Sequence, residues 1–220
     1  MQKVVEPKEL DHIFKDDMSI MIGGFLNCGT AETVLEYVNE LDLKNLTIIV
    51  NDAGFNQKSK GKFLANADIN KMITSHIGTN PDIGEKMNSG EIEVELIPQG
   101  NLVEQIRCQG SGLGGVLTPI GIGTKAEEGN KIMEVDGKKY ILATPLGADV
   151  AIIKAWRADE SGNLIYRYSA RNFNPIMAMA ADTVIVEAEE VVKNGELDNN
   201  NIETSNIFID YIVETDSSLL

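Results

Sequence analysis

Short apolar runs that end in glycine or in an Asn/Asp turn alternate along this chain with stretches of helical period. That alternation restricts the fold more than any other feature. Ser19–Ile22 reads as a buried strand ending in Gly23-Gly24, and residues 32–41 then carry Val34, Leu35, Val38 and Leu41 at helical spacing. Residues 46–50 form the next strand, rich in β-branched side chains, which stops at Asn51-Asp52-Ala53-Gly54. Residues 71–77 and 92–97 repeat the strand pattern. A short helix is expected over 82–87, and an amphipathic turn or two through Leu102, Val103 and Ile106 after Pro98. Residues 139–143 and 150–154 read as strands, and a turn at 159–163 leads into 164–168. Pro175 opens a short apolar helix through Ala181, residues 182–188 are a β-branched strand, and 207–213 a last one. The pattern predicts an α/β fold, an open, largely parallel twisted sheet flanked by helices, with some antiparallel strand pairing near residue 162.

One stretch breaks the rhythm. Six of the sixteen residues from Gln109 to Thr124 are glycine, so no regular element is expected there, and backbone lying close to something is. No repeat, linker or boundary interrupts the chain. Its 220 residues, 43% hydrophobic, are expected to form a single domain over 1–220, with 214–220 as a loose tail. A net charge of −15 disfavours nucleic acid and anionic membrane as partners, because like charge repels through the whole approach. The longest apolar runs fall far short of the roughly 20 residues of a membrane span, and the first fourteen residues lack a signal-peptide core. Two cysteines, Cys28 and Cys108, cannot make a disulfide framework and suit a reducing, cytoplasmic setting.

Four motifs are candidates for chemistry. The first is Gly23-Gly24-Phe25-Leu26-Asn27-Cys28-Gly29, between a strand and a helix, where glycines let backbone N–H groups approach a phosphate. A tight turn without ligand explains it equally well, and the dinucleotide glycine triplet is missing. The second, Gly110-Ser111-Gly112-Leu113-Gly114-Gly115, contains G-x-G-x-x-G but does not follow the first strand, which rejects a Rossmann cofactor site and leaves a flexible or ligand-hugging loop. The third is Asn51-Asp52-Ala53-Gly54, otherwise an Asx-type turn, and the fourth Pro98-Gln99-Gly100, otherwise a plain helix start. His12 and His76 sit in no ligand-spaced cluster, so no metal is expected. Cys28 lacks an evident base and reads as a packed thiol; Glu127-Glu128 and 187–190 read as solvated faces, as do Lys58, Lys60, Lys62 and Lys71. No glutamate stands out as a nucleophile.

Residues 16–31, DDMSIMIGGFLNCGTA, resemble the glycine-rich signature of family I CoA-transferase A subunits. Asp16, Ile20, Met21, Ile22, Gly23, Gly24, Phe25 and Gly29 match that pattern, while Asp17 stands where Gly or Asn is usual and Ala31 where Pro is usual. The resemblance continues in order through 51–54, 77–81, 98–107, 110–124, 147–151, 172–175 and 180–187, nearly the whole chain. It is strongest toward the A subunits of butyrate–acetoacetate and acetate CoA-transferases.

The resemblance implies a transferase that moves CoA from an acyl-CoA to a short carboxylic acid through a glutamyl-CoA thioester. In the family the glutamate lies in a Ser-Glu-Asn-Gly motif of the B subunit, and no Ser-Glu-Asn occurs here. It therefore implies half an enzyme, paired with a B subunit in an α2β2 heterotetramer, with no cofactor beyond the CoA thioester as substrate. It further implies that Gly24, Phe25, Leu26, Asn27, Cys28, Gly29 and Thr30 form the CoA-associated loop. Gln99 would help hold the oxyanion and acyl group, Asn51 would line the carboxylate pocket, and Gly110, Gly112, Gly114 and Gly115 would shape the cleft floor. A non-catalytic acyl-CoA or sugar-phosphate binding module on the same scaffold is the alternative, since fold alone does not decide function. An aldose–ketose isomerase relative finds little support in the glycine motifs.

Overall fold

All but one of the expected strands join one sheet that is covered on both faces. The computed structural model describes residues 3–56, 59–216 and 218, without the side chain of residue 59. In order come β1 (Ser19–Ile22), α1 (Glu32–Glu40), β2 (Leu46–Asp52), α2 (Ser59–Asn66), β3 (Ile69–His76), α3 (Pro81–Ser89), β4 (Glu93–Leu96) and α4 (Gln99–Gly110). β5 (Val116–Thr118), β6 (Ile132–Val135) and β7 (Lys138–Ala143) follow. The chain closes with β8 (Ala148–Asp159), β9 (Leu164–Ile165), α5 (Asn174–Met177), β10 (Ala181–Val192) and β11 (Tyr211–Glu214). The large sheet has the order β11-β10-β8-β1-β2-β3-β4 with every neighbour parallel, and β9 adds antiparallel to β8. β5, β7 and β6 form a small antiparallel sheet.

Side-chain alternation along the strands divides the core into two layers. Ile20, Ile22, Ile48, Val50 and Met72 pack with Val34, Leu35, Phe63, Leu64 and Ile83 of α1, α2 and α3. Met21, Ile49, Ile73, Ala151 and Ile153 pack with Leu102, Ile106 and Met177 of α4 and α5. With both faces buried, the strands read as nearly unbroken apolar runs. Each large aliphatic side chain removed from water contributes about 1.5–3 kcal/mol. The chain winds outward from β1 to β4, and β8 then pairs with the other side of β1. At such a reversal the loops leave the sheet in opposite directions and open a crevice at the carboxyl ends of the strands.

Several local expectations are corrected. α4 is twelve residues, about three turns instead of one or two, and it continues through Gln109 and Gly110. Val116–Thr118 is a strand inside the stretch expected to be wholly irregular. α2 and β6 were not expected; α2 escapes the periodicity because a lysine, Lys60, occupies a core position ahead of Phe63, Leu64 and Ala67. The expected loose tail begins inside β11 at Glu214, and Thr215 is buried with its hydroxyl bonded to Lys154, Glu187 and Ala188. Residues 217, 219 and 220 lie outside the described residues.

Asp149, near the start of β8, ties β8 to β1 by accepting from Ser19 N and Ser19 Oγ, both at 2.7 Å. These bonds hold its carboxyl below the usual carboxylate range. A carboxyl depressed in the native state adds stability that is fully present above its ordinary pKa and is lost as pH falls through the native one. The urea midpoint of the wild-type chain should therefore exceed that of Asp149→Asn at neutral pH, and the gap should close as pH drops below about 4. A gap that does not change with pH would contradict this role.

Candidate active site

The carboxyl ends of β1 and β2 and the start of α4 converge on one polar chain. Asn51 and Asp52 are the last two residues of β2, and Gln99 is the first of α4. Gln99 Nε2 donates to Asn51 Oδ1 at 2.8 Å, and Asn51 Nδ2 donates to Asp52 Oδ2 at 2.8 Å. The same Asp52 Oδ2 accepts from Leu26 N at 2.8 Å, which draws in the loop after β1. Asp52 Oδ1 accepts from Gly54 N at 2.8 Å and lies 3.2 Å from Lys60 Nζ. Ser75 Oγ donates to the Asn51 carbonyl at 2.7 Å and lies 3.2 Å from Asn51 Oδ1.

Exposure divides the chain into an outer and an inner part. Gln99 is exposed, whereas Asn51 and Asp52 are 1% and 2% exposed. Asn51 thus stands behind Gln99, almost closed to solvent in this subunit. Pro98 gives α4 no side-chain cap, and Gly100 leaves open space beside the helix start. A helix N-terminus with uncapped N–H groups favours negative charge, so the Gln99 amide and α4 dipole act on the same region.

Lys60 corrects the solvated basic face expected of it. It lies in the first turn of α2, fully buried beside the end of β2; burial pushes its pKa down, and the neighbouring Asp52 carboxylate opposes that shift. Lys62 is exposed, Lys71 pairs with Glu93 and Glu95, and Lys58 lies outside the described residues.

The glycines of the first loop serve packing as much as approach. A Cβ on Gly23 would lie 1.8 Å from Asn174 Oδ1, and Gly24 sits at φ +105, where a side chain is strained. Asn174, fully buried, accepts from Lys154 N and donates to Gly29 O and Ala170 O, clamping the loop to β8 and to residue 170. Phe25 N and Cys28 N bond each other's carbonyls, and Leu26 N bonds Asp52. Three N–H groups of the expected phosphate cradle are therefore engaged within the protein. Beside the loop, Asn27, Cys28, Thr30, Trp156, Arg167 and Tyr168 line a cavity of about 310 Å³. Cys28 is exposed, 3.1 Å from Ser169 Oγ, and is not the packed thiol expected; Cys108 is buried.

The remaining glycines and the acidic run near residue 187 lie elsewhere in the fold. Gly110, Gly112, Gly114 and Gly115 make no side-chain hydrogen bond to Gln99 or Asn51 and lie at and beyond the C-terminal end of α4. Gly110 ends α4, roughly 16 Å along the helix from Gln99 at 1.5 Å per residue, and the other three follow it in the loop to β5. There Gly110 packs on Met179, just ahead of β10, and Gly115 on Ala143. The run 187–190 is not uniformly solvated. Glu187 is fully buried and accepts from Lys154 Nζ at 2.8 Å, Thr215 Oγ1 at 3.0 Å and Val34 N at 3.0 Å. It caps the first turn of α1, whose N-cap Ala31 offers no side-chain acceptor. Only strand alternation, Glu187 in and Asp182 and Glu190 out, hinted at this in the sequence.

Residues 8–215 match the family model described as coenzyme A transferase. The chain is 50% identical over 212 residues to the acetoacetyl-CoA:acetate/butyrate CoA transferase alpha subunit of Clostridium acetobutylicum, covering 96% of this chain and 97% of that one. It is 47% identical over 216 residues to the acetate CoA-transferase subunit alpha of Escherichia coli, covering 98% of each. Among solved structures, an acyl-CoA transferase of Escherichia coli in a thioester complex with CoA superposes with a TM-score of 0.84 at 21% identity. That match covers 98% of this chain and 47% of the other, so this chain spans about half its length, and the likeness is one of fold.

Proposed function

The chain belongs to the coenzyme A transferase family, and from that premise we propose that it is the A subunit of a short-chain acyl-CoA:carboxylate CoA-transferase acting on acetoacetate, butyrate or acetate. Relatives at 50% and 47% identity carry the names of such alpha subunits, which leaves the non-catalytic binding module without support. Free cysteines, one of them exposed, accord with a cytoplasmic enzyme.

The observation that carries the mechanism is the exposed Gln99 amide at the uncapped start of α4, backed by Asn51 and Asp52. A glutamate carboxylate attacks the thioester carbonyl, and negative charge develops on the carbonyl oxygen. Gln99 uses one Nε2 hydrogen on Asn51, which leaves the other to donate to that oxygen, while the α4 dipole favours the same charge. Collapse expels the CoA thiolate and leaves an acyl-glutamyl anhydride. The thiolate then attacks the glutamyl carbonyl, releases the first acid and forms the glutamyl-CoA thioester, which the acceptor acid takes apart by the reverse steps.

The carboxylate of this cluster, Asp52, is buried and already engaged by three N–H donors and by the Lys60 ammonium 3.2 Å away. That supports a nucleophile supplied by a B subunit, with an α2β2 assembly as the arrangement that brings it in. Residues Gly24, Phe25, Leu26, Asn27, Cys28, Gly29 and Thr30 would flank the CoA, the last four of them bordering the cavity beside the loop.

The test is reconstitution. With its B partner the chain should transfer CoA from acetoacetyl-CoA or butyryl-CoA to acetate, and alone it should be inactive. Borohydride trapping during turnover should mark a glutamate of the partner chain. Turnover by the isolated chain, or a covalent CoA adduct on one of its own side chains, would overturn the proposal.

A further inference from the structure

We infer that Asp52 is a positioning residue for CoA transfer: its carboxylate dictates which way the Asn51 and Gln99 amides point and ties that pair to the loop after β1. The inference rests on the reading of Gln99 given above. A side-chain amide is a donor at one end and an acceptor at the other, and the two ends have nearly the same shape, so sterics alone leave a chain of amides free to run in either direction. An ionised carboxylate removes that freedom, because it only accepts. Asp52 Oδ2, 2.8 Å from the Asn51 amide, requires the NH₂ end there. Asn51 Oδ1 is thereby turned toward Ser75 Oγ and Gln99 Nε2, and Gln99 must present its own NH₂ end to Asn51. Reversal would set a carbonyl oxygen against a carboxylate in a site almost closed to water, with nothing to compensate.

The carboxylate is itself held on all sides. Gly54 N and Leu26 N donate to its two oxygens, and the buried Lys60 ammonium balances its charge. Leu26, at φ 51, is a non-glycine residue in the left-handed region, a conformation that persists where surrounding bonds hold it. One residue thus connects the loop proposed to flank CoA with the amide proposed to hold the oxyanion. Its neighbour in sequence, Asn51, is the residue that transmits the orientation.

The experiment is a double-mutant cycle on the reconstituted two-subunit enzyme. Asp52→Asn keeps the shape but returns a donor to the site, with the charged Lys60 drawing the amide oxygen toward itself and leaving the NH₂ end facing Asn51 and Leu26. It should lower kcat by about 30-fold in the wild-type background and by no more than about threefold beside Gln99→Ala, because the orientation it sets then has no reader. A purely structural role would cost the same factor in both backgrounds, and that result would overturn the inference. Should Asp52→Asn fail to fold with Lys60 left unpaired, Asp52→Ala with Lys60→Met removes both charges and must show the same coupling. A damaged Gln99→Ala beside a fully active Asp52→Asn sinks this inference alone, whereas an undiminished Gln99→Ala sinks the reading it stands on.

Discussion

Gln99→Ala is expected to lower kcat of the reconstituted enzyme by roughly 10²–10³-fold, the usual consequence of removing one oxyanion donor, equivalent to about 2.7–4 kcal/mol of transition-state stabilisation. KM for the acyl-CoA should move far less, because the bond to the carbonyl oxygen strengthens only as charge develops. The fold should not suffer. Gln99 is exposed at the first position of α4, alanine is the best helix former, and the single bond lost is the one to Asn51. Gln99→Glu should fall further, since it sets an acceptor against Asn51 Oδ1 and a negative charge beside the developing oxyanion. Steady-state kinetics with the complex decides the matter, and a Gln99→Ala enzyme within about threefold of wild type would remove this residue from the reaction.

The largest loss of stability is expected at Glu187. Its side chain is inaccessible and holds Lys154 Nζ, Thr215 Oγ1 and Val34 N, so it joins β10 to β8, to the segment after β11 and to the start of α1. Glu187→Ala leaves a buried ammonium without its counter-ion and the first turn of α1 without its acceptor. Breaking one partner of a buried pair costs about 3–5 kcal/mol. For a chain of this length that corresponds to a fall in Tm of roughly 6–20 °C. Replacing both Glu187 and Lys154 by methionine should cost much less, since no uncompensated charge then remains inside and apolar volume is kept. Thermal unfolding of the single and double variants tests the pair. A double variant as unstable as Glu187→Ala would show that the charge pair is not the cause.

The parallel sheet was legible because burial on both faces requires apolar side chains at successive positions, as in residues 46–50, and that composition survives in the sequence as a run. The turn at 159–163 was legible for a local reason. Asp159 Oδ1 accepts from the N–H groups of Ser161, Gly162 and Asn163, a pattern the Asp and the two following small residues announce by themselves. α2 was hidden because Lys60, a charged residue, fills a core position, and only a partner 8 residues back on another element, Asp52, makes that placement tolerable. The same reason hid Glu187: its partners come from positions 34, 154 and 215.

Within the site, the family signature marked the Gly23-Gly24 loop, Asn51 and Gln99, and the structure brings the Leu26 region, Asn51 and Gln99 onto one hydrogen-bonded chain. It did not mark Asp52 as their link, and the structure places Gly110 at the far end of α4 from Gln99. Local chemistry, the period of apolar residues, turn residues and glycine placement, determined most of the elements, the parallel sheet and the family. Which buried charges are paired, which amide faces out and which stands behind it were decided only by tertiary structure. Those properties depend on distances between residues far apart in the chain, and the free energy of a buried polar group is set by the partner it meets across that gap and not by its neighbours in sequence.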